Sequence, residues 1–125
     1  MKKSIFRIII ILQKEIDKSQ LKEISNKKNL LHFFDLDNSD KAFVDSIEII
    51  KNLDLVITAD TSLAHLSATL GKKTWILLPL ISDWRWFLDE SSSKWYENVT
   101  LYKSKKTDNW DIPFQTIEKD LKKLF

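Results

Sequence analysis

The sequence predicts an α/β fold: a mostly parallel sheet, three layers deep, with helices on both faces. Three observations predict it. Short apolar runs rich in Ile, Leu and Val recur at residues 5–12, 30–34, 55–59, 73–78 and 99–103. Between them lie segments whose apolar residues return at helical spacing, and strands alternating with helices favour parallel pairing. A length of 125 residues suits one domain, residues 1–125, large enough for a real core.

Taken in order, residues 5–12 are apolar apart from Arg7 and read as a strand buried on both faces. Met1-Lys2-Lys3 before this run superficially resembles a secretory signal, but Arg7 interrupts it and no small-residue cleavage site follows. The run is also too short for a bilayer, which takes about 20 apolar residues. Residues 16–24 predict a short helix with Ile16, Gln20, Leu21 and Ile24 on one side, and 30–34 a second strand ended by a polar turn at 35–40. From Lys41, the spacing of Phe43, Val44, Ile47, Ile50 and Leu53 predicts a helix that hands over to the strand 55–59. The next helix spans 61–70, with Leu63, Leu66, Ser67 and Leu70 toward the core, and Gly71 stands where a C-terminal cap belongs. Residues 73–78 predict a strand closed by Pro79, while 82–96 is aromatic and charged without a period and reads as loop with short helical turns. A last strand at 99–103 precedes a helix at 113–125 with Pro113 in its first turn and Phe114, Ile117, Leu121 and Leu124 inward.

Composition excludes several chemistries. Without cysteine there is no disulfide framework, thiolate metal site or cysteine nucleophile. The single glycine excludes a Walker loop and a dinucleotide fingerprint, and no paired-histidine metal motif occurs. Residues 35–40 begin like a calcium loop, but its sixth position is Asp40 rather than glycine and its twelfth is Ser46 rather than glutamate. With 20 basic against 18 acidic side chains, no charge excess calls for nucleic acid, and Lys103, Lys105 and Lys106 read as a solvated basic turn. A soluble, cytoplasmic protein without a membrane span is expected.

The most informative segment is 54–66, where an apolar run stops at Asp60-Thr61-Ser62 and a helical pattern begins. Such a junction lies at the carboxyl edge of a parallel sheet, where helix N-terminal N–H groups can hold an anion. Asp60 is a good N-cap, and a capping carboxylate occupies some of those donors and repels an anion, so a cap and a phosphate site compete as readings. His65, four residues after Thr61, can face the same side. The segment after residue 78 emerges at the same edge, bringing Asp83, Trp84, Arg85 and Trp86; Arg85 suits a diphosphate, or pairs with Asp83 or Asp89 beneath packed tryptophans. A serine hydrolase is not expected, since Ser62 lacks flanking glycines and His65 is too close in sequence to act as its base.

Residues 53–66, with Leu70-Gly71-Lys72 and Trp75-Ile76-Leu77-Leu78-Pro79, resemble the C-terminal domain of glycosyltransferase family 9, the heptosyltransferase family. Asp83-Trp84-Arg85-Trp86, Ser93-Lys94-Trp95-Tyr96 and Trp110 are similar to elements of the family 9-like domains found behind tetratricopeptide repeats, with Lys94 in place of a proline. Leu12-Gln13-Lys14 is similar to that group's early leucine-glutamine-lysine turn. The resemblance covers residues 5–125. It implies a Rossmann-like domain, the C-terminal half of a GT-B enzyme, that binds a nucleoside-diphosphate sugar without a metal or other cofactor. Asp60, Thr61, Ser62 and Leu63 would contact the donor diphosphate, His65 would belong to the same site, and Arg85, Gln13 and Lys14 would complete it. The family's base, an aspartate of the first GT-B domain, has no counterpart in these residues, so sugar transfer is expected to need an N-terminal domain or partner chain. A non-catalytic interaction module and a flavodoxin-like nucleotide-binding domain are the alternatives.

Overall fold

A computed structural model describes residues 9–12, 19, 30–32, 43–81, 96–107 and 109–124. The chain divides into two compact units, Met1–Ser46 and Ile47–Phe125.

In the first unit, β1 (Ile9–Ile11) pairs in parallel with β2 (Leu30–His32), in the register Ile9 opposite Leu30. Both lie within the expected strands. Ser19 is helical, as the pattern at 16–24 predicts, and the polar turn at 35–40 lies outside the described residues.

Helix α1 (Val44–Lys51) is shorter than the apolar spacing suggested. Phe43 precedes it with φ +66°, a left-handed backbone that takes the residue off the helical wheel, and Phe43 and Val44 are exposed while Ser46 and Ile50 are buried.

The second unit is built on a three-stranded parallel sheet, β3 (Val56–Ala59), β4 (Thr74–Leu78) and β5 (Val99–Lys103), in the order β3-β4-β5. Val56 pairs with Thr74 and Thr74 with Val99, so all three strands run toward one carboxyl edge. Side chains alternate across a strand, and two apolar clusters follow. On one face Ile76, Leu78, Val99 and Leu101 pack with Ala64 and Ala68 of α2 (Ser62–Thr69). On the other, Trp75 and Tyr102 pack with Ile117 of α3 (Asp111–Leu124), flanked by Leu55, Leu77 and Leu121. This three-stranded sheet is therefore flanked by helices on both faces, an α/β arrangement compatible with a Rossmann-like domain. The single sheet expected over all five apolar runs is corrected: among the described residues, β1 and β2 pair in a two-stranded sheet of their own.

The core face of α2 differs from expectation. Ala64, Ser67 and Ala68 are buried, whereas Leu63 and Leu66 are half-buried and Leu70 is exposed. Small residues let the helix approach the sheet closely, and the Ser67 hydroxyl is satisfied by Thr74 Oγ1 at 2.7 Å. The helix ends in a Schellman motif: the Lys72 N–H donates to Ser67 O, the Gly71 N–H to Ala68 O, and Gly71 adopts φ +78°. Asn98 adds a side-chain cap, its amide donating to the carbonyls of Ala68 and Lys72.

Helix α3 starts at Asp111, two residues before the expected Pro113, because proline needs no N–H partner in a first turn. The Asn109 carboxamide oxygen accepts the Asp111 N–H at 3.0 Å and sets this start. Ile117 is buried as expected and Leu121 half-buried, but Phe114 and Leu124 are exposed.

Candidate functional site

Strand β3 delivers Thr58, Ala59 and then Asp60 and Thr61 to the carboxyl edge, where α2 begins. Ala59 pairs with Leu77, so the chain leaving β4 at Pro79 emerges beside this turn. Leu80 and Ile81 continue at that edge and are exposed. The convergence expected of residues 60–63 and the segment after 78 thus holds as far as Ile81.

The expectation that Asp60 caps the helix is corrected. Thr61 is the N-cap, with extended backbone (φ −135°, ψ 171°) and no side-chain hydrogen bond to the helix. The Thr61 hydroxyl lies instead 3.3 Å from Thr58 Oγ1, itself within 3.1 Å of Ala59 O. The first helical residue is Ser62; the Ala64 N–H donates to Thr61 O, and among the described residues no side chain caps the N–H groups of Ser62 and Leu63. Those groups and the helix dipole favour an anion.

Asp60 turns toward His65, with Oδ1 3.6 Å from Nε2. That is an ion-pair distance rather than a hydrogen bond, and the two side chains keep 29% and 36% of their surface, so a ligand can reach both. The other ring nitrogen, Nδ1, is 3.4 Å from the Tyr96 hydroxyl, with ring centroids 6.1 Å apart and tilted by 59°. A carboxylate, an imidazole and a phenol therefore follow one another from the turn along α2. Tyr96 was legible in the sequence only as the end of the Ser93–Tyr96 element. Its contact with His65 joins residues 31 apart, which no local pattern encodes.

Asp60, Thr61, Ser62, Leu63 and His65 are brought together. Arg85, Gln13 and Lys14 lie outside the described residues, as do Asp83, Trp84 and Trp86. Among the described residues, no cluster of His, Asp or Glu could hold a metal ion. No helix there is long and apolar enough to cross a membrane. In the basic turn, Lys105 and Lys106 are exposed, whereas Lys103 closes β5 and is half-buried.

A shallow concavity of about 620 Å³ lies at the amino edge among Lys73, Trp75, Asn98, Thr100, Tyr102 and Asp120. Its floor is structural. Trp75 and Tyr102 pack at 5.4 Å between centroids, and the Tyr102 hydroxyl donates to Asp120 Oδ2 at 2.8 Å. Burial, that hydrogen bond and the Asp120 charge together push the Tyr102 phenol well above the usual tyrosine range. Ligands of parallel sheets gather at the other edge, so the Asp60 turn is the better candidate.

Compared with known proteins, the chain matches no family model, no curated protein and no solved structure.

Proposed function

We propose that the chain is the nucleotide-sugar-binding domain of a family 9-like glycosyltransferase, the C-terminal half of a GT-B enzyme, holding the donor diphosphate at residues 60–63. The observation that carries this reading is the start of α2 at the carboxyl edge, where the side chain of the N-cap Thr61 bonds none of the helix N–H groups and His65 stands one turn further on. The amides of Ser62 and Leu63 serve the diphosphate oxygens, and the helix dipole opposes the negative charge that develops on the leaving nucleoside diphosphate. Asp60 works against the anion, so its approach to His65 matters: an imidazole beside the carboxylate offers a donor where the turn would otherwise present only an acceptor.

The test is calorimetric titration with UDP, ADP and GDP. Ser62 stands at the first helical position, after an extended Thr61, and proline suits both conditions. Ser62→Pro removes one N–H and leaves the fold, so affinity should fall by about 1.5–3 kcal/mol, the worth of a hydrogen bond to a charged group. Asp60→Asn removes the repulsion and should tighten nucleotide binding. Its stability cost should stay below about 1 kcal/mol, because the pair with His65 is partly solvated. Wild-type affinity in Ser62→Pro would show that the diphosphate is held elsewhere.

A further inference from the structure

The imidazole of His65 sits between two oxygens of unlike chemistry. Asp60 Oδ1, 3.6 Å from Nε2, belongs to a group that when ionised only accepts; Tyr96 Oη, 3.4 Å from Nδ1, belongs to a hydroxyl that donates or accepts. A neutral imidazole has one donor nitrogen and one acceptor nitrogen. The carboxylate favours the proton on Nε2, which leaves Nδ1 as the acceptor and makes the phenol its donor. From this geometry we infer that Tyr96 is a positioning residue for His65, its hydroxyl holding Nδ1 so that the ring directs Nε2–H toward the Asp60 turn. The phenol is well placed for the task. Its ring packs against the apolar cluster of Ala64, Ala68 and Ile76, so packing of the second unit's core sets where the hydroxyl stands.

The consequence rests on the diphosphate reading given above. A phosphate oxygen arriving at the amides of Ser62 and Leu63 meets an N–H at His65 if Nδ1 is held by Tyr96, and a lone pair if the ring is turned or the tautomer reversed. Tyr96 thereby acts on the ligand through His65, without touching it.

The tautomer can be read without any nucleotide, by ¹⁵N NMR of the full chain at alkaline pH. His65→Gln identifies the His65 signals against those of His32. The expected wild-type spectrum has a single tautomer, with Nε2 protonated and Nδ1 shifted as a hydrogen-bonded acceptor. Tyr96→Phe keeps the ring packing and removes the hydroxyl, and should shift Nδ1 and mix the tautomers. A wild-type ring protonated at Nδ1, or a Tyr96→Phe spectrum identical to wild type, overturns the inference. In the nucleotide titration, Tyr96→Phe should weaken UDP or ADP binding by roughly two- to tenfold, the worth of one hydrogen bond. His65→Gln, whose amide can stand near the Nε2 position, should retain more affinity than His65→Asn. Equal nucleotide affinity in Tyr96→Phe and wild type counts against the positioning role. If wild type binds no nucleotide, the diphosphate reading fails, and the NMR result still decides what Tyr96 does to His65.

Discussion

At Gly71 the backbone turns back with φ +78°, and an added Cβ would meet nothing within 4 Å. The whole cost of a side chain there is conformational. Gly71→Ala should therefore destabilise by about 1–2 kcal/mol, seen as a lower urea midpoint at unchanged slope. Asn98 does a complementary job at the same helix end, donating its amide to two carbonyls. Asn98→Ala leaves both without that donor and should lose about 1–3 kcal/mol. Asn98→Asp should lose more, since a carboxylate opposes those carbonyls, and thermal melts of the three chains give the order. The glycine cap was legible in the sequence, because only glycine takes a left-handed turn freely. The asparagine cap was not, because its partners are 26 and 30 residues away.

At the scale of elements, the two helices of the second unit show where periodicity stops being informative. In α2 the expected leucine face gave way to Ala64, Ser67 and Ala68, since close approach to the sheet rewards small side chains over large ones. In α3 the stripe is narrower than its apolar residues suggested: Ile117 is buried at 5% exposure, and Phe114, three residues earlier, is 57% exposed. Ile117→Ala should accordingly cost about 2–5 kcal/mol, the range for a buried aliphatic truncation. Phe114→Ala should stay within about 0.5 kcal/mol, as for an ordinary surface change. Chemical denaturation of both variants checks the contrast, and similar losses would mean that Phe114 is covered.

For the molecule as a whole, stability should carry a signature of Tyr102 at alkaline pH. The phenol bridges β5 and α3 through Asp120, and its ionisation is pushed above that of an unfolded tyrosine, about 10. Above that pH the folded chain holds a proton that the unfolded chain releases, so this contribution is complete below it and declines as pH rises. Tyr102→Phe lacks the group. The stability gap between wild type and Tyr102→Phe should thus stay constant up to about pH 9 and narrow above about pH 10, measured by urea melts at each pH. A constant gap would mean that Tyr102 ionises no differently when folded.

The sequence by itself determined the order of strands and helices, their parallel pairing class, the left-handed end of α2, and the junction at residues 60–63, because these follow from local periodicity and turn chemistry. Tertiary structure decided which residue caps α2 and which face of it is buried. It also decided that Asp60 turns to His65, and His65 to Tyr96. These depend on how closely the helix packs on the sheet and on what the chain brings alongside from 31 residues away, and neither is a property of any local segment.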